Sequence, residues 1–274
     1  MPIVVKGDGT REEFHIGKLV GSLKHAGAPA DLAEHISERV TRSLKEGMST
    51  TAIYKEAFKM LRKEERVVAA RYSMRRAILE LGPTGFPFEE FVGELMRARG
   101  YETKIRVMVP GRCIEHEVDV VLRKGEKMIG AELKFHNTPG FKTDLKTALY
   151  VRARYWDIQW GAEDRGEKGI DEGWLITNTK FTGNAIDYAS CSGIKLFGWS
   201  YPRGESLADM IQQTGMYPVT VLTTLSNTDK ARLLRSGVTM CKMIADNPAS
   251  LERVGITGKK RDEVHSESVG LCQM

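Results

Sequence analysis

Apolar residues fall at helical spacing through the first part of the chain. Leu19, Val20 and Leu23 share one helix face, as do Ile53, Ala57, Met60 and Leu61. The pattern predicts helices over 16–26, 30–45, 50–63 and 67–81. Asp31 and Ser49 stand where N-caps are expected. Ahead of them Ile3-Val4-Val5 reads as a short strand. Lys6-Gly7-Asp8-Gly9 reads as a turn whose Asp-Gly pair suits a hairpin.

Gly82-Pro83-Thr84-Gly85 breaks the helical run, and the pattern changes. A helix is expected over 88–99, ended by Gly100. A strand over 105–109 is stopped by Pro110-Gly111. Strands over 115–122 and 127–135 are joined through Lys124-Gly125-Glu126, a hairpin signal. A helix over 144–156, the buried strand Trp174-Leu175-Ile176-Thr177, a short helix over 184–190 and a strand over 195–199 complete a mixed α/β layer. Tyr201-Pro202-Arg203-Gly204 opens a linker. Beyond it helices are expected at 207–214 and around 229–234, 240–245 and 250–254, and the polar stretch 262–274 is expected to fray. No internal repeat of fixed period is present.

Composition narrows the class. No apolar run approaches the roughly 18 residues that span a membrane, so no membrane partner is expected. The N-terminus lacks a basic-then-apolar signal pattern. Cys113, Cys191, Cys241 and Cys272 are scattered without a CxxC pair. Reduced thiols in a cytoplasmic protein are therefore expected, not zinc or a disulfide framework. The net charge of +5 is unevenly placed. Between Met210 and Arg261, Lys230, Arg232, Arg235, Lys242, Arg253, Lys259, Lys260 and Arg261 face only Asp229, Asp246 and Glu252. Such a surplus suits a phosphate backbone; on charge alone it is equally a solvated helical surface.

The chemistry concentrates on the central hairpin. Side chains alternate along a strand, so Glu132 and Lys134 share one face, and Asp119 points away from Val118 and Val120. In a suitable register the three converge. Two carboxylates that close repel unless a cation lies between them, and Mg²⁺ takes one or two carboxylates while keeping waters. Lys134 is then placed to orient water or stabilise developing negative charge. The other reading is an ion-paired strand face, worth only about 0.2–1 kcal/mol. A second acid-x-Lys triplet, Asp144-Leu145-Lys146, lies in a predicted helix and lacks the strand–turn–strand setting. His116 and His136 are more simply surface or hydrogen-bonding residues than participants.

The order Phe88-Glu89-Glu90-Phe91-Val92, Gly100-Tyr101, Glu117-Val118-Asp119-Val120-Val121 and Glu132-Leu133-Lys134 resembles the Mrr-like restriction endonucleases of the PD-(D/E)xK type, from about Gly85 to Pro202. The resemblance implies catalytic Glu90, Asp119, Glu132 and Lys134, with Asp119 and Glu132 holding Mg²⁺ or Mn²⁺. Val118 stands where the motif has Pro. Ala131 to Asn137 and the later Lys142-Thr143-Asp144-Leu145-Lys146 resemble a subgroup in which this nuclease follows an ATP-cone.

The first segment resembles that ATP-cone through Val4-Val5-Lys6-Gly7-Asp8-Gly9, Phe14, Lys18 and Thr50 ahead of Ile53. The likeness implies nucleotide contacts from Lys6, Lys18 and Thr50, with ATP or dATP as effector. Gly7 replaces the family's Arg and so removes a bidentate phosphate donor. Near the C-terminus, Gly255-Ile256-Thr257-Gly258 followed by Lys259-Lys260-Arg261 loosely resembles a helix-hairpin-helix unit, whose Gly-rich turns hold DNA phosphate at helix N-termini. Its glycines stand one residue further apart than usual.

These features predict a multi-domain chain: a mostly helical ATP-cone (1–82), an α/β restriction-endonuclease-like core with a mixed central sheet (85–202), a small basic helical domain (207–262) and a polar tail (263–274). The expected activity is metal-dependent hydrolysis of DNA phosphodiesters, gated by nucleotide, with a homodimer to cut both strands. Two rivals are a nucleotide-responsive DNA-binding regulator with a silent site and an RNA-directed nuclease.

Overall fold

The computed structural model describes residues 2–273 apart from Asp8, Pro83 and Pro139. Asp8 of the expected turn and Pro83 of the expected boundary lie outside the described residues. The chain divides into two compact units, 1–78 with 217–274, and 79–216.

In the first unit, β1 (Ile3–Val5) pairs antiparallel with β2 (Arg11–Glu13). Helices α1 (Ile16–His25) and α2 (Ala30–Ser43) follow, then β3 (Met48–Ser49), which runs parallel to β1. α3 (Thr50–Glu64) starts on the Ser49 hydroxyl, which accepts the Ala52 N–H at 3.1 Å, as the N-cap pattern predicts. Asp31 does not cap: α2 begins one residue earlier, behind Pro29. Leu19, Leu23, Ile36, Val40, Ile53, Ala57 and Leu61 form the core at the expected spacing. The helix expected over 67–81 is broken at Ser73 into α4 (Arg66–Tyr72) and α5 (Met74–Leu79). The Ser73 hydroxyl donates to the Ala70 carbonyl at 2.8 Å, a local bond that competes with the helix ladder.

The second unit is the α/β layer. α6 (Phe86–Ala98) precedes β4 (Glu102–Pro110), β5 (Glu115–Lys124), β6 (Lys127–Lys134) and the short β7 (Lys142–Thr143). The long helix α7 (Leu145–Arg165) leads to β8 (Glu172–Thr177), β9 (Lys180–Phe181), α8 (Gly183–Ser192), β10 (Lys195–Phe197) and α9 (Leu207–Thr214). The sheet order is β10-β8-β6-β5-β4. β4, β5 and β6 are antiparallel, while β6, β8 and β10 run parallel, so the sheet is mixed as expected. Gly130 and Gly173 are register partners. A Cβ on either would lie 2.5 Å from the Tyr155 ring, so only glycine lets α7 lie this close to the strands. The helix runs past the expected Trp156 to a left-handed Gly166, because Ile158 and Ala162 continue its buried row.

The remaining helices, α10 (Asn227–Arg235), α11 (Cys241–Asp246), α12 (Ala249–Arg253) and α13 (Gly258–Cys272), belong to the first unit. The Thr220 hydroxyl donates to the Ala77 carbonyl at 2.7 Å, and α13 packs on α4 and α11. Two expectations are corrected. The stretch 207–262 is not one domain, since α9 belongs with the sheet. Nor does the described part of the polar tail fray: residues 262–272 are most of α13. Val264, Ser268 and Leu271 are buried at helical spacing, and the Glu267 carboxylate accepts bonds from the N–H and hydroxyl groups of Thr223 and Thr224 at 2.7–3.0 Å. A buried carboxylate saturated in this way anchors the helix. Among the described residues no helix is long and apolar enough to cross a membrane.

Candidate active site

The antiparallel register of β5 and β6 ends at Val120↔Ala131. Where the strands part, the Asp119 carboxylate takes the place of a ladder bond: its Oδ2 accepts the Leu133 N–H at 2.7 Å. Glu132, on the same face as Lys134, is almost fully buried, with its side chain 3% exposed. Lys134 Nζ donates to its Oε1 at 2.6 Å, and Arg154 of α7 binds its Oε2. Arg154 also donates to the Glu117 carbonyl at 3.0 Å and to the Tyr150 hydroxyl. Lys134 Nζ lies 5.8 Å over the Tyr150 ring. Asp119, Glu132 and Lys134 therefore meet in one place, and Arg154 and Tyr150 complete the cluster.

The early-helix acid needs correction. On α6 the buried row is Phe88, Phe91, Val92 and Leu95. At 100° per residue Glu89 flanks that row and Glu90 lies opposite it. Glu90 is accordingly 43% exposed and held on Arg106. Glu89 is 14% exposed, with Arg106 Nε 3.5 Å from its Oε2. That oxygen is buried and has no hydrogen-bond partner. Burial, and then the charge of Asp119, push the Glu89 carboxyl up to about 6. The acid facing Asp119 is thus Glu89. Arg106 fills the ladder gap opposite Asp119, between Ile105↔Val120 and Val107↔Val118. Its φ of 54° is in the left-handed region, a strain of about 1–3 kcal/mol that favours a functional position.

Burial, and then the neighbouring Glu132, raise the Asp119 carboxyl to about 6. Two neighbouring carboxylates are thus raised together, chiefly by burial, and one Glu89 oxygen has no hydrogen-bond partner. Among the described residues no three His, Cys, Asp or Glu side chains alone form a metal cage. A pair of carboxylates with waters is nonetheless the arrangement Mg²⁺ takes, so Asp119 and Glu132, with Glu89 beside them, fit a hard divalent ion.

The other candidates separate from this cluster. The Asp144 carboxylate caps α7, accepting the N–H and hydroxyl of Thr147 at 3.1 Å. His116 Nε2 lies 2.8 Å from Asp157, clamping the β4–β5 turn to α7. His136 stacks on Phe141 and exchanges backbone bonds with Asn178. Burial, and then Lys134, hold its imidazole below the usual range. In the first unit, Lys6 and Lys18 do converge, both on Glu12 Oε2 at 2.7 and 3.2 Å. The Val5↔Ser49 register sets Thr50 beside Lys6 at the start of α3. In the C-terminal turn, Gly255 and Gly258 have left-handed φ. Lys260 lies on Asp229 at 2.6 Å and Arg261 on Glu252 at 2.6 Å, leaving Lys259 as its outward cation.

Sequence reasoning missed Glu89, Arg154 and Tyr150. The apolar stripe of α6 already distinguished Glu89 from Glu90. Tyr150 and Arg154, four apart on the helix after the hairpin, carry the spacing of a surface pair but no marker of which way it faces.

Comparison with known families matches the ATP cone domain to residues 2–80, the restriction endonuclease catalytic domain to 82–211 and the AF1548-like C-terminal domain to 217–272. An uncharacterised protein of Archaeoglobus fulgidus is 37% identical over 181 residues, 65% of this chain and 97% of the relative. The crystal structure of AF1548, a protein of unknown function, aligns at a TM-score of 0.55 with 35% identity, over 68% of this chain and 97% of that one. The restriction endonuclease MspJI, solved with a 27-mer oligonucleotide, aligns at a TM-score of 0.37 with 14% identity, over 73% of this chain and 39% of that one, too slight a likeness to bear on substrate.

Proposed function

The chain belongs to the AF1548-like family, and it carries an ATP cone domain, an Mrr-type restriction-endonuclease domain and the AF1548-like C-terminal domain; from that premise we propose that it is a cytoplasmic, metal-dependent endonuclease that hydrolyses DNA phosphodiester bonds. The observation that carries this reading is the convergence of Asp119, Glu132 and Lys134 where the central strands β5 and β6 part, with Asp119 and Glu89 both raised to about 6.

Asp119 and Glu132 would hold Mg²⁺ or Mn²⁺, with Glu89 assisting in place of Glu90. A divalent ion there supplies Lewis-acid polarisation of a phosphoryl oxygen and a bound water of lowered pKa. The chain's own groups do the rest. The Leu133 N–H fixes one Asp119 oxygen and leaves the other open. Arg154 holds the far oxygen of Glu132, so that carboxylate cannot rotate away. Lys134, backed by the Tyr150 ring and partly open to solvent, reaches a phosphate oxygen or the attacking water and stabilises negative charge as it develops. The same reading gives Lys6, Lys18 and Thr50 to the phosphates of ATP or dATP, which would gate activity by binding two states unequally. It gives Lys259 of the Gly255–Gly258 turn to a DNA phosphate, and it pairs two copies for a double-strand cut.

Incubating purified protein with supercoiled plasmid and Mg²⁺ or Mn²⁺, beside Asp119→Ala and Lys134→Ala, tests the proposal. Nicking or linearisation by wild type alone supports it. Intact plasmid with retained DNA binding overturns it in favour of a regulator. Faster cleavage of matched RNA would move the substrate to the other backbone.

A further inference from the structure

Helix α7 is apolar on two faces. Ala148, Val151, Tyr155, Ile158 and Ala162 are buried against the sheet. A second row, Leu149, Ala153, Trp156 and Trp160, is open to water: Leu149 is 45% exposed, Trp156 39% and Trp160 46%. Trp156 and Trp160 lie parallel, 6.3 Å between centroids, and Arg152 covers Trp156 at 4.7 Å. The row steps by four, three and four residues, the spacing of a coiled-coil seam. A contiguous aromatic stripe in water marks an interaction surface.

We infer that this face pairs with the same face of a second copy of the chain, the two α7 helices antiparallel about a two-fold axis at the Arg154–Tyr155 peptide. The residues themselves select that partner. Numbers mirror about the axis, so Ala153 meets the partner's Trp156 and Leu149 meets the partner's Trp160: a small or medium side chain faces a large one in each layer, as interdigitation requires. The seam ends are also self-complementary. Lys146 meets the partner's Glu163, once at each end, and both residues are exposed. A two-fold contact needs a surface that complements itself, and this one does so in size and charge. A phosphate backbone would be repelled by Glu163 and would gain little from Leu149 and Ala153. The seam from 146 to 163 spans about 26 Å of helix axis at 1.5 Å per residue. It lies on a different face of α7 from Arg154, so pairing leaves the grip on Glu132 in place and joins two catalytic centres through one helix pair.

The pairing is tested without any cleavage assay, so its failure is separate from failure of the nuclease reading. Sedimentation velocity of the full chain across the micromolar range is expected to show a dimer. The double variant W156E/W160E should weaken it about tenfold or more. K146E and E163K should each weaken dimerisation about threefold or more, because each creates two like-charged contacts, and K146E/E163K together should restore it. The charge reversals lie on a solvated surface, so they report even if the tryptophan variant fails to fold. A wild type that stays monomeric overturns the inference, as does a double reversal weaker than either single one.

Discussion

Asp119 and Asp229 are both aspartates withdrawn from water, one in each compact unit, and their surroundings push them in opposite directions. Asp119 accepts one backbone N–H and faces Glu132, and burial and that neighbour raise it to about 6. Asp229 is buried too, but hydrogen bonds from Lys260, Ser226 and Arg232 outweigh burial and hold it well below the ordinary carboxylate range. It closes a capping box at the start of α10. The difference separates a structural carboxylate, whose lone pairs are filled by its own chain, from one that accepts a single backbone N–H and that the proposed function makes a metal ligand. The same test demotes part of the C-terminal basic segment: in the fold Arg232 and Lys260 are spent on Asp229, Arg261 on Glu252 and Lys242 on Asp246.

The widest split between the two aspartates is expected in catalysis. Asp119→Asn should lower plasmid cleavage by about 10²–10⁴-fold, the range for loss of a group acting directly in the transition state. Asp229→Asn should leave the rate of correctly folded protein unchanged. Equal loss in both, at matched folded fraction, would collapse the distinction.

Stability should split the other way. Asp229→Asn removes a cap and two charge-assisted bonds, and is expected to cost about 2 kcal/mol, read from urea unfolding at neutral pH. The pH windows differ in sign as well. Asp229 has a depressed folded pKa, so its contribution is present above its unfolded value near 4 and is lost only as pH falls below that. Asp119 and Glu89 have raised folded values, so in metal-free protein they bind protons more tightly folded than unfolded. Stability should therefore rise as pH falls from about 7 towards about 4. Added Mg²⁺ should flatten that rise, and Asp119→Asn should shrink it. A metal-free profile that falls steadily from neutral pH would show that Asp119 and Glu89 are not raised in the folded protein.

How far the residues could be read in advance follows from the same physics. The ExK hairpin was legible because strand alternation fixes which side chains share a face and Lys124-Gly125-Glu126 fixes the turn. The α6 stripe was equally legible, yet motif matching favoured Glu90 where helix periodicity favours Glu89. The two-residue β3 and the three-residue β2 were not legible, being too short to show a period. The fate of 262–274 was hidden for another reason: α13 has few apolar residues, and its anchor, Glu267, is a charged side chain whose partners Thr223 and Thr224 lie far away in sequence. The outward row of α7 is not legible in the sequence, because two apolar faces blur a helix's periodic signal.

The choice between the two glutamates sharpens the comparison within the site. Glu89→Gln is expected to reduce cleavage about tenfold and to lower the apparent affinity for Mn²⁺, since it removes a carboxylate beside the cation position. Glu90→Gln only frees Arg106 from an exposed pair and should change the rate less than about twofold. Measuring both against metal concentration discriminates; a larger loss at Glu90 would restore the acid that the motif alone selects.

The smallest effect is expected in the cluster that stands between the two extremes. Lys6 and Lys18 share Glu12, whose carboxyl they hold below its usual range through hydrogen bonds. Lys6 and Lys18 thus have part of their charge matched by the chain itself, and the cluster offers a nucleotide phosphate less than one with arginine at position 7 would. Gly7 is exposed, and a Cβ there would meet nothing within 4 Å. Gly7→Arg should therefore be accommodated and should tighten ATP binding by about five- to tenfold, the value of one added charge-assisted bond at a partly screened surface. Titration calorimetry of the variant against wild type reads this directly. Tighter binding of the triphosphate than of the monophosphate would place Lys6, Lys18 and position 7 on the terminal phosphates. An unchanged affinity, with Lys6→Ala also silent, would mean that this cluster, like Asp229 and its partners, is already satisfied by its own chain.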